Sequence, residues 1–178
     1  DWTVCFSDGI TFFGGLFLGT FPLIFNLKPI GSPEIISGFC FSNSSTVIHE
    51  NSYKLTTPAS PHLAAKLDQI TIDIQQIVEP KTANHLVIEG AGGVLVPLNN
   101  SDCIIDLIKD DYKVIVVSRH YLGSINHTLL TLEALRSRNI PVAGIVFSGD
   151  EYPSSEEIIL SKSNAKFIGR IENEPYFD

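Results

Sequence analysis

A chain of 178 residues with 44% apolar and 18% charged residues has the length and composition of one globular domain with a sizeable core. Its net charge of -8 argues against a nucleic-acid surface, since phosphate backbones are held by clustered Lys and Arg and none cluster here. Cys5, Cys40 and Cys103 are far apart and odd in number, which indicates neither a disulfide framework nor a CxxC metal knuckle and fits a reducing cytoplasm.

Residues 1–50 differ from the rest, holding eight of the eleven Phe but only five Asp, Glu, Lys or Arg. The uncharged run "ITFFGGLFLGTFPLIF" at 10–25 is shorter than the ~20 apolar residues a bilayer span requires, and Gly14, Gly15, Gly19 and Pro22 weaken it further. No Lys or Arg precedes it and no small-residue cleavage site follows directly, so buried core is expected ahead of a membrane or export role. At 53–65, "YKLTTPASPHLAA" predicts an extended entry, Ser60 as cap and Pro61 at the first helical position.

From there the pattern is regular. "HLVIEG" (85–90), "KVIVVS" (113–118), "PVAGIVFS" (141–148) and "KFIGRI" (166–171) are β-branched runs of the kind that fill strands buried on both faces. Helical stretches alternate with them: "SDCIIDLIKDD" from Ser101 as N-cap, "SINHTLLTLEALRSRN" with Ile125, Leu129, Leu132 and Leu135 on one stripe, and "SSEEIILSKS". The alternation predicts an α/β fold, a parallel sheet with helices on both faces, whose ligands bind at the carboxyl ends of the strands.

Two of those ends carry chemistry. Glu89 closes a predicted strand and is followed by Gly90, Ala91, Gly92 and Gly93. An acid there can hold a divalent ion, and glycine amides can approach phosphate oxygens, so Mg²⁺ with a nucleotide is the natural pairing; a plain glycine turn with a solvated acid is the alternative. At the second, Gly123 supplies a tight turn, Ser124 can cap, and the amides of Ser124, Ile125 and Asn126 at the positive end of a helix form an anion site for a carboxylate or phosphate. His62 and His127 read as structural.

"TPASPH", "VIEGAGGVLVPLN" and "LGSINHTLLTLEAL" followed by "VAGIVFSG", in this order, resemble the dethiobiotin synthetase family of the P-loop nucleotide-binding superfamily. The resemblance covers roughly residues 50–178, which divides the chain into a divergent segment at 1–50 and a core at 51–178 of the same domain. It implies ring closure of 7,8-diaminopelargonate with CO₂ and ATP: a carbamate forms on one amine, the γ-phosphoryl group transfers to it, and the second amine displaces phosphate. It assigns Glu89 to Mg²⁺ and Gly90, Ala91 and Gly92 to the nucleotide phosphates. It assigns Ser148 and Gly149 to the adenine, and Glu172 to a nucleotide contact. Lys28 and Ser32 match a motif that touches substrate and the transferring phosphate, with Lys28 as the catalytic cation. Ser124, Ile125 and Asn126 grip the substrate carboxylate across the interface of a homodimer.

Phosphoryl transfer needs cations around developing negative charge, and the family supplies one from a GxxxxGK[ST] loop. The chain contains no such run, and "DWTVCFSDGITFFGG" holds neither Lys nor Arg. Incomplete ends, weak turnover, and a non-catalytic or truncated relative that binds ligand or dimerises therefore stand beside the enzyme as expectations.

Overall fold

The computed structural model describes residues 2–7, 24–27, 47–49, 52–82, 85–90 and 92–172, those before residue 52 by their backbone alone. Among them, seven strands join one sheet: β1 (Trp2–Ser7), β2 (Ile24–Leu27), β3 (Val47–His49), β4 (His85–Glu89), β5 (Tyr112–Arg119), β6 (Val142–Ser148) and β7 (Phe167–Ile171). The order across the sheet is β3-β2-β4-β1-β5-β6-β7. The α-helices among the described residues are α1 (Pro61–Leu67), α2 (Ser124–Ser137) and α3 (Pro153–Ser163).

The body of the sheet is parallel, as the strand and helix alternation predicts: β4, β1, β5, β6 and β7 run one way. The edge differs. β2 pairs antiparallel with β4, and β3 antiparallel with β2, a pairing that requires no crossover helix. Of the uncharged run at 10–25, only Ile24 and Phe25 fall within the described residues, in β2. Among the described residues no helix is long and apolar enough to cross a membrane.

Alternation in β5 positions the core. Tyr112, Val114, Val116 and Ser118 are buried, and their register with Ile145 and Phe147 of β6 puts these residues on one face. All but Ser118 are buried in one cluster with Ala64 and Ala65 of α1, Leu132 and Leu135 of α2, and Ile159 of α3. Each such fully buried Val, Leu, Ile or Phe contributes ~1.5–3 kcal/mol, so this face anchors the scaffold beneath the strand ends. Ile115, Val117 and Val146 point the other way and are only half-buried, so burial alternates here where continuous apolar runs predict two equal faces.

Helix α2 departs from its predicted stripe for a local reason. Leu132 and Leu135 are buried, but Ile125 and Leu129 are half-buried, and Ser124, Thr128 and Thr131 share the buried side. Small polar residues allow close approach, and the Thr128 hydroxyl pairs with the buried Ser118 hydroxyl of β5 at 2.7 Å, satisfying both.

Two predicted caps are corrected. Pro61 does open α1, but Ser60 makes no side-chain cap bond; the turn before it is held by Asp68, which accepts from the Thr57 hydroxyl at 2.6 Å and the Thr56 hydroxyl at 3.0 Å. Ser101 is not the cap, because the turn starts later with Cys103 at the N-cap, whose amide donates to Asp106 Oδ2 at 2.7 Å, while the Asn99 side chain takes the amides of Ser101 and Asp102, each at 2.8 Å. The segment forms a short 3₁₀ turn, Ile104–Leu107, instead of a longer helix.

Candidate functional site

The carboxyl ends of the five parallel strands lie along one rim. Because β4 pairs with one side of β1 and β5 with the other, chain direction across the sheet reverses at β1, the kind of switch point where open α/β sheets take ligands.

Glu89 is the last residue of β4 and is in register with Cys5 of β1. It is half-buried, and burial pushes its carboxyl up from the ordinary value, since a carboxylate loses hydration there. Among the described residues the carboxylate has no hydrogen-bond or ion-pair partner. Beyond it, Gly92 and Gly93 are exposed. Gly92 has φ 78, and an added Cβ would lie 3.0 Å from Val96 Cγ2, so the turn requires glycine at this point. The Gly93 carbonyl accepts from the Val96 amide at 3.0 Å, whereas the amides of Gly92 and Gly93 meet no carbonyl of the described residues. Gly90 is half-buried, and Ala91 lies outside the described residues.

The start of α2 is the second feature. Gly123, at φ 96, holds the N-cap position, so Ser124 is the first helical residue and not the cap. Ser124 is buried and its amide donates to the Tyr121 carbonyl at 3.0 Å, which removes it from the three amides expected to face outward. Those of Ile125 and Asn126 meet no carbonyl of the described residues and remain open. The Tyr121 hydroxyl and His127 Nδ1, 2.6 Å apart, brace the turn, and Leu122 at its tip is 100% exposed.

The third feature lies at the ends of β6 and β7. Ser148 is in register with Ile171, which brings Ser148, Gly149 and Glu172 to adjacent strand ends. Gly149 is buried with φ 91 and donates its amide to the Ile171 carbonyl at 2.8 Å. Its backbone shapes the turn, beside half-buried Ser148 and exposed Glu172. Three strand spacings of ~4.8 Å separate β4 from β6, and the registers place Glu89 level with Gly144, four residues short of Ser148, so Glu89 and Ser148 stand roughly 20 Å apart. Lys28 and Ser32 lie outside the described residues.

A charged cluster that sequence reasoning missed adjoins this third feature. His120, just past β5, stacks on Phe147 at 5.3 Å and bonds through Nε2 to Glu156 Oε1 at 3.0 Å. Arg170 of β7 brings Nη2 within 2.5 Å of each Glu156 oxygen. Burial acts to raise the Glu156 carboxyl, but hydrogen bonds from Arg170, the Tyr152 amide and His120, with the Arg170 charge, outweigh it and hold the group below the carboxylate range. The pairs span 36 and 14 residues, and no local spacing announces them.

Among the described residues no three His, Cys, Asp or Glu converge on one point. The described residues of this rim therefore form no closed protein cage for a metal. Mg²⁺ takes one or two carboxylates together with phosphate oxygens and waters, and a single partnerless carboxylate beside open amides fits that donor set.

Residues 31–178 match the family model described as an AAA domain, and the chain belongs to that family of α/β nucleotide-binding folds. The relatives it matches carry a more particular name. It is 56% identical over 137 residues to the ATP-dependent dethiobiotin synthetase BioD of Christiangramia forsetii, covering 77% of this chain and 66% of the relative. It is 51% identical over 120 residues to that of Rhodopseudomonas palustris, covering 67% and 57%, and 49% identical over 131 residues to that of Cytophaga hutchinsonii, covering 72% and 64%. The family resemblance read from the motifs is thereby borne out, over a chain that spans less than two thirds of each of these relatives.

Proposed function

We propose that the rim binds ATP with Mg²⁺ and closes the ureido ring of dethiobiotin from 7,8-diaminopelargonate and CO₂. The observation that carries this reading is Glu89, a half-buried carboxylate with no described partner, at the strand end nearest the switch point and followed by open glycine amides. A divalent ion bound there would neutralise charge on the transferring phosphoryl group. Glu89 would contribute the protein's oxygen ligand. The amides of the Gly90–Gly92 turn, Ala91 included, would receive phosphate oxygens. Ser148, Gly149 and Glu172 would border the adenine, since the ends of β6 and β7 lie on the same rim as Glu89. Lys28 would supply the cation, and Ser32 would contact substrate.

The open amides of Ile125 and Asn126, set by the Gly123 turn beside buried Ser124, support a cradle for the substrate carboxylate. Fully exposed Leu122 in the turn before α2 and exposed Leu130 on α2 support a homodimer that shares this cradle. Residues 1–50 are read as a divergent segment of the domain whose core is 51–178, in line with β1, β2 and β3 belonging to one sheet with it. The cytoplasm is the proposed compartment.

One sequence fact favours a second reading. The chain carries no GxxxxGK[ST] run, so phosphate charge is poorly neutralised and turnover is expected to be slow or absent even where nucleotide binds. Titration of ATP with and without Mg²⁺ into wild type and Glu89→Ala tests the site: Mg²⁺-dependent binding lost in the variant is the expected result, and equal binding by both removes Glu89 from its role. Formation of dethiobiotin at ~1 s⁻¹ or faster would refute slow turnover and with it the second reading.

A further inference from the structure

We propose that Glu156 is the positioning residue of the turn between β6 and α3, and that through Arg170 and His120 it fixes the edge of the site facing the nucleotide base. The inference rests on the nucleotide reading above and deepens it.

One carboxylate gathers three elements. Glu156 lies in the first turn of α3 and is 8% exposed. Its Oε1 accepts from the Tyr152 amide at 3.0 Å, from His120 Nε2 beyond β5 at 3.0 Å and from Arg170 Nη2 of β7 at 2.5 Å. Arg170 then reaches forward, its Nη1 donating to the carbonyls of Gly149 and Asp150 at 3.3 Å each, while the Gly149 amide donates to Ile171. The turn after Ser148 is thus held by its carbonyls, by the Gly149 amide and by the Tyr152 amide.

His120 completes the plate. Its ring packs on Phe147, at 5.3 Å, and Tyr152, at 5.2 Å, and donating Nε2–H to Glu156 leaves Nδ1 buried without a partner among the described residues. The tautomer and ring plane are therefore chosen by Glu156. Stability alone does not explain such a network: burying ions costs several kcal/mol each, and apolar residues of similar volume often serve a core as well or better. What ionic partners add is fixed direction, because a planar guanidinium holds two carbonyls and a carboxylate in one geometry. Ser148 sits at the head of the held turn, so its hydroxyl and backbone inherit that geometry.

The test compares ligands that share phosphates and differ in the base. ATP and inorganic tripolyphosphate, each with Mg²⁺, are titrated into the full chain as wild type, Glu156→Gln and Arg170→Lys. Hydrogen exchange is followed at the amides of 149–152. Glu156→Gln should weaken ATP by about tenfold or more, the loss of one directed charged contact, and leave tripolyphosphate unchanged, with faster exchange at 149–152. Arg170→Lys keeps the charge and loses the fork, so it should show the same base-selective loss to a smaller degree; it also serves if Glu156→Gln fails to fold. Equal losses for both ligands, no loss for either, or unchanged exchange at 149–152 would overturn the proposal. If wild type binds neither ligand, the nucleotide reading fails and takes the base-facing role with it, while the exchange data still decide whether Glu156 orders the turn.

Discussion

Replacing Gly123 by Ala isolates what the turn before α2 contributes. Gly123 has φ 96 and ψ -2, and the Cβ of an alanine would come no closer than 3.7 Å to its nearest neighbour, His127 Cε1. Sterics therefore add nothing, and the cost is conformational. An L-residue in left-handed space loses ~1–2 kcal/mol, and a smaller unfolded-state entropy gain of ~0.4–1 kcal/mol offsets part of it. The net destabilisation is about 1 kcal/mol, which in a protein of this size lowers Tm by roughly 2–4 °C. Gly93→Ala is the control, since its Cβ would meet nothing within 4 Å and its φ is not positive. It should leave Tm unchanged or slightly raised. Because left-handed alanine prefers φ near ~57°, the Gly123 variant also relaxes by some tens of degrees and re-aims the amides of Ile125 and Asn126. Diaminopelargonate binding should weaken while Mg²⁺-ATP binding stays near wild type. Thermal unfolding and calorimetric titration read both effects; an unchanged Tm for Gly123→Ala beside a lowered one for Gly93→Ala would refute the reasoning.

Two further outcomes follow from buried groups. Glu89 has its carboxyl raised by burial above an ordinary value of 4.5, so the folded state holds the proton more tightly than the unfolded chain. The stability it contributes is complete below that ordinary value and is lost as pH rises through the folded value. Glu89→Gln should therefore melt higher than wild type at pH 8 and converge with it near pH 4; a difference that is the same at both values would contradict the sign. The Ser118–Thr128 hydroxyl pair is fully buried, so Thr128→Val should cost ~1–3 kcal/mol by leaving Ser118 unpaired, and adding Ser118→Ala should recover part of that loss in a denaturant double-mutant cycle. Additive losses would show that the two hydroxyls do not depend on each other.

The strands β4, β5 and β6 were legible because their β-branched runs supply buried core residues; β7 was legible by pattern alone, since at the sheet edge Phe167 and Ile168 are exposed and not buried on both faces as the run predicts. The 113–118 run is one residue short of β5 at each end, and 85–90 overshoots β4 by one. β1, β2 and β3 were not assigned, since in a segment so rich in Phe and poor in charge nothing marks where a strand stops. Caps failed for a different reason. Ser60 holds the cap position of α1 but makes no side-chain cap bond, and Ser101 lies two residues ahead of Cys103, which holds the cap position; Asp68 and Asn99 hold the preceding turns instead. Sequence proximity suggests candidates for a cap, and three-dimensional proximity selects among them.

The same distinction governs the site. Glu89 and the Gly123 turn were readable because each is a single residue type at a strand end, where topology guarantees exposure to the rim. Glu156 was not, since an acid in the first turn of a helix is the commonest way to complement a helix dipole and attracts no notice. Its role depends on Arg170 of β7 and on His120 just past the end of β5, the strands on either side of β6. A local motif can specify where a phosphate or a divalent ion goes, because backbone amides and one carboxylate suffice. Fixing an edge beside a flat base requires direction from several elements at once, so the proposed base-facing edge is written across the end of β5, β7 and α3 and emerges only when the sheet is assembled.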